Sequence, residues 1–412
     1  MAAPALLFVG LNYAPEPVGI GPYSTGLCEA LVANGHRVTA VIGKPYYPQW
    51  QPDPMHSGGG WRRNAENGVR IVRCPHYIPA EPSGLKRIVH LASFALSALV
   101  PALAAALRDR PQVVFTVAPA LLGVFPAWLA ARLTGARLWI HVQDFEVEAA
   151  LATGLMNPER WPARLGRWLE SWVLRRGDMV STISPQMIAK LGEKGVPQAR
   201  RFELRNWADA RFIADPSGAQ QRRAAWELGT RTVALYSGNI ARKQGIEILI
   251  EAARLLADRD DIALVICGEG PNRAALEQQA AGLNNVQLRD LQPAAEMGAV
   301  LALADLHLLP QIAGAADLVL PSKLTNMLAS GRPVVATTEP GTGLYAEVEG
   351  CGVAVPPGDA VALAKAIAEL ADDPERRAVL GTAAAQRAVE RWQQGAIIAR
   401  TRAALADLVR RP

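Results

Sequence analysis

The 412-residue chain is poor in cysteine. Cys28, Cys74, Cys267 and Cys351 stand far apart, with no C-x-x-C pair and no Cys/His cluster. A disulfide framework and a structural zinc site are therefore not expected, and a reducing cytoplasm is the compartment that fits. Neither a D-x-D motif nor a cluster of ligands stands beside the glycine-rich loops, so no metal is expected there. The apolar run Leu91–Leu107 is 17 residues long and holds Pro101. A spanning helix needs about 20 residues, so a buried or interfacial helix is expected instead. The opening MAAPALLFVGLNY has no basic stretch before its strand-length apolar run, and no signal peptide is expected.

Half of the residues are hydrophobic and 20% are charged. That excludes a disordered chain and, at this length, predicts two or three domains. Charge is uneven. Lys and Arg exceed Asp and Glu by eight up to Arg205 and fall three short after it, which together give the net +5. A basic first half suits an anionic acceptor or an anionic membrane surface, against the plainer reading of dispersed solubilising charge. Nucleic acid is not an expected partner.

The two halves repeat one pattern. In the first, strand Ala5–Gly10 runs into the Gly- and Pro-rich NYAPEPVGIGPYS. Helix Tyr23–Asn34 and strand Arg37–Ile42 follow. Gly19 and Gly21 sit in the first turn, where a phosphate can approach the backbone. A third glycine and an acidic end to the second strand are missing, which disfavours a dinucleotide fingerprint. The long loop KPYYPQWQPDPMHSGGG offers Tyr46, Tyr47 and Trp50 for stacking on a sugar, or for packing beneath the loop. Strand Arg137–His141 ends in HVQDFEVEA, which places His141, Asp144, Glu146 and Glu148 at a carboxyl end where open α/β sheets bind ligands. From Pro158 to Arg176, Trp161, Leu165, Trp168, Leu169 and Trp172 share one helical face among arginines, fitting either core packing or a membrane surface.

The second half restarts at strand Thr232–Ser237, followed by Gly238-Asn239-Ile240-Ala241-Arg242-Lys243-Gln244-Gly245. Strand Ile262–Cys267 then leads to Gly268-Glu269-Gly270-Pro271. The most informative stretch is Asp317–Ala336, DLVLPSKLTNMLASGRPVVA. Ser322 can cap a short helix whose Leu324, Met327 and Leu328 form one apolar face. Gly331 stops it, and Val334–Ala336 is a buried strand. Lys323 then lies in the first turn. It reads as an anion site suited to a diphosphate, or as a solvated surface lysine. Two Rossmann-like halves predict an α/β fold with a central cleft. Residues 1–205 and 219–390 are the expected domains, with 206–218 as the link and 391–412 as a helix packing back on the first domain.

Two Rossmann-like halves, SGNIARKQG, GEGP and PSKLTNMLASGRPVV together resemble a GT-B glycosyltransferase of family 4, over nearly the whole chain. The strings GIGPYS, KPYYPQWQ, HVQDFEVEA and DLVLPSKLTNMLASGRPVVAT resemble the branch that acts in colanic acid synthesis. The resemblance implies retaining transfer of L-fucose from GDP-fucose to a polyprenyl-diphosphate-linked saccharide in exopolysaccharide synthesis. It implies no cofactor or metal, and a cytoplasmic enzyme held peripherally at the inner membrane. A transferase using a UDP-sugar, a nucleotide-sugar epimerase and a non-catalytic lipid-carrier module are the alternatives.

The resemblance also assigns roles. Gly19, Gly21, Gly238, Gly268 and Glu269 would line the donor. Asn239 stands where arginine is usual, so Arg242 and Lys243 must supply the phosphate cations, with Lys323 taking part. The family's glutamate pair is replaced by Leu318 and Asn326. Asn326 would bond the ribose, with Asp317 compensating and Leu324 beside it. Gln143-Asp144 replaces the usual His-Asp, leaving Asp144 as the acidic group near the acceptor. Asp144, Lys243 and Lys323 are the expected catalytic residues, and Tyr46, Tyr47, Trp50 and His141 the expected acceptor contacts.

Overall fold

The computed structural model describes residues 3–411 except 18, 57, 82–83, 119–120, 146–160, 209–214, 241–243, 313–319 and 322. It falls into two compact units, residues 1–205 with 397–412, and residues 206–396.

The first unit is built on an eight-stranded sheet. Its strands are β1 Leu6–Gly10, β2 Val38–Gly43, β3 Arg62–Glu66, β4 Val69–Cys74, β5 Val113–Ala118, β6 Arg137–Val142, β7 Met179–Thr182 and β8 Arg201–Glu203. They lie in the order β3-β4-β2-β1-β5-β6-β7-β8. All neighbours are parallel except β3, which is antiparallel to β4. β1, β2 and β5 are buried at every position, as aliphatic runs covered on both faces must be. The order reverses between β1 and β5, so their carboxyl ends flank the crevice where such sheets bind ligands. Right-handed crossovers put helices that advance the chain in one direction on one face. Helices Gly84–Asp109, Leu121–Thr134 and Trp161–Leu174 therefore form one layer, and Gly21–Ala33 lies on the other face.

Two sequence expectations change here. The apolar helix is not confined to 91–107 but runs from Gly84 to Asp109, straight through Pro101. Proline removes the N–H that would bond the carbonyl four residues back, which is that of Ser97. That carbonyl is not orphaned, because Trp61 Nε1 donates to it at 2.9 Å. With 26 residues the helix is long and apolar enough to cross a membrane. It is nonetheless the crossover between two strands of one sheet, and His90, Phe94, Ala98 and Ala102 are buried beneath it. The second change is the β3–β4 hairpin, which was not foreseen.

The second unit carries a six-stranded sheet of β9 Thr232–Ser237, β10 Ile262–Cys267, β11 Val286–Arg289, β12 Leu306–Leu309, β13 Val334–Thr337 and β14 Gly352–Val355. The order is β11-β10-β9-β12-β13-β14, all parallel. Its reversal falls between β9 and β12. β9 ends at Ser237, and Gly238 follows it directly. The last helix, Gln394–Arg410, belongs from Ile397 onward to the first unit, where Arg411 Nη1 just beyond it donates to the Ala199 carbonyl at 3.0 Å.

Candidate active site

In the second unit the site forms where two glycine loops touch. Gly238 follows β9 and Gly268 follows β10, and a side chain on either of two glycines would collide with the other loop. A Cβ on Gly268 would lie 1.9 Å from the Gly238 carbonyl oxygen, and one on Gly270 2.2 Å from that of Ile240. Backbone bonds close the contact, with Gly238 N–H to the Cys267 carbonyl at 3.0 Å and Ile240 N–H to that of Glu269 at 2.8 Å. Gly270 also has φ +157°, at the edge of the region that favours glycine. Arg273 braces the second loop. It pairs with Glu269 at 3.3 Å, Glu277 at 2.9 Å and Asp290 at 2.8 Å, and donates to the Gly268 carbonyl.

Lys323 reaches into this place from the first position of the helix Lys323–Ala329. That helix is anchored by Leu324, Met327 and Leu328, all buried in a cluster with Leu309, Leu344 and Trp392. Lys323 Nζ donates to Tyr236 Oη at 2.9 Å and sits 4.2 Å from the centre of the tyrosine ring. Tyr236 Oη in turn donates to the Asn239 carbonyl at 2.7 Å. A Cβ on Gly238 would stand 3.4 Å from the Lys323 amine, so the amine lies directly against the glycine loop. Burial pushes the Lys323 ammonium down to about 7 and raises the Tyr236 phenol. A half-buried amine held against the neutral phenol and ring of Tyr236 is poised to gain from an arriving anion. Tyr236 carried no signal in the sequence beyond its place in a strand.

The other expected donor residues sort as follows. Asn239 and Glu269 are exposed at the loop, and Asn326 is half-buried on the Lys323 helix. Leu324 contributes its side chain to the core, and its N–H bonds the Pro321 carbonyl at 2.9 Å, so it offers a ligand little. Arg242, Lys243, Asp317, Leu318 and the Ser322 cap lie outside the described residues. Among the described residues no three His, Cys, Asp or Glu side chains converge to hold a metal ion.

In the first unit the Gly-rich loop is locked by a residue that sequence reasoning missed. The buried Glu16 carboxylate accepts from Tyr46 N–H at 3.1 Å, Tyr47 N–H at 3.2 Å and Asn12 Nδ2 at 2.9 Å. Burial raises its carboxyl above the ordinary value, and those three donors pull the other way. Glu16 thus ties the loop after β1 to the loop after β2. Gly19, at φ +72°, lies against Tyr47, where a Cβ would be 3.2 Å from the ring. A Cβ on Gly21 would be 3.0 Å from that of Glu16.

The aromatic residues divide. Tyr46 is not an exposed stacking platform. It is buried edge-on against Trp50, His76 and His90 at 5.2, 5.5 and 4.7 Å. Tyr47 and Trp50 are half-buried, with the Arg87 guanidinium 5.5 Å from the Trp50 ring. His141 also departs from the acceptor role expected of it. Its Nδ1 lies 2.9 Å from Ser181 Oγ and its Nε2 2.9 Å from Gln143 Nε2, so both ring nitrogens are occupied. Burial pushes its pKa down to about 3, which keeps it neutral. His141 therefore fixes Gln143, and the chain emerges at Asp144, which is exposed. Glu146 and Glu148 lie outside the described residues.

Residues 18–207 match the family model described as a glycosyl transferase 4-like domain, and residues 219–387 match glycosyl transferases group 1. The chain is a family 4 glycosyltransferase with the GT-B fold. Similar proteins include the putative colanic acid biosynthesis glycosyl transferase WcaI of Escherichia coli (strain K12). The two are 42% identical over 342 residues, 81% of this chain and 83% of that one. A GDP-mannose-dependent alpha-(1-6)-phosphatidylinositol monomannoside mannosyltransferase of Mycolicibacterium smegmatis is 27% identical over 400 residues, 94% of each chain. The sucrose-phosphate synthase of Thermosynechococcus elongatus shares the fold with a TM-score of 0.74 at 20% identity, over 98% of this chain and 99% of that one. As a member of the family, the transferase moves a sugar from a nucleotide-sugar donor to a sugar acceptor.

Proposed function

We propose that the transferase moves L-fucose from GDP-fucose, with retention of configuration, onto a polyprenyl-diphosphate-linked saccharide in exopolysaccharide synthesis of the colanic acid type. The work would take place at the cytoplasmic face of the inner membrane. The observation that carries the donor half is the Lys323 amine on Tyr236, against Gly238 and beside the sheet's reversal point. The 42% identity to a colanic acid glycosyl transferase supports the pathway, and a GDP-mannose-dependent relative supports guanine as the base.

The leaving group is a nucleoside diphosphate, so catalysis consists largely of neutralising charge as it develops there. Lys323 would meet that charge, with Arg242 and Lys243 completing the cradle. Arrival of a diphosphate raises the amine's proton affinity, so the free lysine, near 7 by burial, binds a proton as the donor docks. Retention lets an oxygen of the departing diphosphate take the acceptor's proton, with Asp144 orienting the hydroxyl. The test is transfer from GDP-fucose, GDP-mannose and UDP-glucose to a lipid-diphosphate saccharide, with the new anomeric centre read by NMR. An α-linked fucoside of a β-configured GDP donor would overturn retention, and turnover with UDP-glucose alone would overturn the donor.

A further inference from the structure

We infer that the first unit docks on an anionic lipid surface through the outward face of one helix layer, inserting aliphatic and aromatic side chains between headgroups. The inference deepens the membrane reading above by naming the face and the mode of attachment.

The layer is made by the helices Gly84–Asp109, Leu121–Thr134 and Trp161–Leu174, on one face of the sheet. Its inner side is ordinary core, with His90, Phe94, Ala98 and Ala102 buried. Its outer side is not ordinary surface. On the first helix Leu85, Ile88, Val89, Leu96, Val100 and Leu107 are exposed, Leu85 and Leu96 at 74% and 73%. At 3.6 residues per turn these six fall within an arc of about 120°, a stripe opposite the buried side and running the helix's length. Leu122, Phe125 and Leu133 are exposed on one side of the second helix. Trp161, Leu165, Trp168 and Leu169 do the same on the third, Trp161 at 73%. Three neighbouring helices in one layer, each with an apolar outer stripe, form a patch of the kind that marks an interaction site.

Charge identifies the occupant. Lys86, Arg132 and Arg164 are exposed around the stripes. Among the described residues of these three helices the carboxylates are Asp109 and Glu170, and both are engaged. Asp109 pairs with Arg70 at 3.2 Å and Arg108 at 2.9 Å, and Glu170 is buried against Lys194. The face thus shows apolar groups and cations, with its carboxylates already neutralised. A second copy of the chain would set cations against cations across a two-fold axis, which is unfavourable. An anionic headgroup layer over hydrocarbon satisfies both parts at once. Trp61 adds an interfacial ring at the edge of the stripe, half exposed and held by its bond to Ser97.

The test is flotation of the full chain with vesicles of phosphatidylethanolamine and phosphatidylglycerol, and with phosphatidylcholine alone. The variants are Leu96→Glu with Val100→Glu, and a control pair, Val361→Glu with Val379→Glu, on the second unit. All four positions are exposed, so folding should survive, and an unchanged melting temperature and circular dichroism spectrum check that it has. The wild type and the control pair should float with the anionic vesicles, and the face variant should lose binding about tenfold or more. High salt should reduce the wild type's binding without abolishing it, because inserted apolar groups are not screened. Equal flotation of wild type and face variant would overturn this face and leave membrane attachment standing. A wild type that floats with neither vesicle would overturn both. A dimer that the face variant disperses, with no vesicle binding, would assign the face to a second copy instead. A protein that floats through this face yet cannot use a lipid-diphosphate acceptor would keep the inference and sink the acceptor reading.

Discussion

The two units solve different problems with the same sheet. In the second, two loops meet just past the ends of β9 and β10. Gly238, Gly268 and Gly270 let them touch, Arg273 braces one of them, and Lys323 brings a half-buried amine onto Tyr236 from a separate helix. In the first, the loop after β1 is held from 30 residues away by Glu16 bonds to the backbone of Tyr46 and Tyr47, and the outward side of a helix layer carries exposed apolar side chains. The second unit packs backbone closely around one amine, whereas the first braces a loop and leaves a broad apolar face exposed.

The largest expected effect lies in the second unit. Gly270→Ala sets a Cβ 2.2 Å from the Ile240 carbonyl oxygen, so the loops cannot close. Clashes with backbone belong to the mutations costing more than about 4 kcal/mol locally, and GDP binding by calorimetry should fall below detection. Binding within a few-fold of wild type would separate the glycine contact from the donor site. The comparable change in the first unit is Glu16→Ala, which strands two backbone N–H groups and an amide. Unsatisfied buried donors cost about 1–3 kcal/mol each, so the melting temperature should drop and acceptor KM rise while GDP affinity holds. Equal losses in donor affinity would break the division between units.

A smaller effect is pH-dependent. Lys323 has its folded value lowered to about 7 by burial, and a bound diphosphate moves it up. Below that value the amine is already protonated and GDP affinity should be flat with respect to this group. Above it, binding must take up a proton, and affinity should fall as pH rises. Calorimetry at about pH 8 in buffers of different ionisation enthalpy should register uptake approaching one proton in wild type and none in Lys323→Met. The smallest effect is Trp61→Phe, which removes the donor to the Ser97 carbonyl freed by Pro101. The expected cost is about 0.5–1.5 kcal/mol in denaturant unfolding, because water can replace part of the bond at this half-exposed site.

The legible parts of the chain were those with local causes. β9 and β10 were read at their observed bounds because each apolar run is followed directly by a glycine. The Lys323 helix was read from its i, i+3, i+4 stripe and Gly331, which does take φ +70°. The β3 strand, RRNAE, has Ala65 as its single apolar residue and was missed, although Asn67-Gly68 beside it is a hairpin turn signal, with φ of 48° and 80°. The apolar run 91–107 understates the helix because its first turns carry the polar Lys86, Arg87 and His90 and its middle holds Pro101. Rescue of the Ser97 carbonyl by Trp61 depends on a contact 36 residues away. Glu16, Tyr236 and the double engagement of His141 are likewise tertiary facts. Each is a polar group whose partner arrives from another strand or loop, and no spacing in the sequence announces it.

The central proposal is that the half-buried amine on Tyr236 is the second unit's anchor for the donor diphosphate. Calorimetric titration of GDP into wild type and Lys323→Ala, with melting curves of both, tests it most directly. A charge-assisted, partly buried contact predicts a loss of about 1.5–3 kcal/mol, roughly ten- to a hundredfold in Kd, with a melting temperature unchanged or higher. Equal GDP affinity in the two proteins, with folding intact, would contradict it.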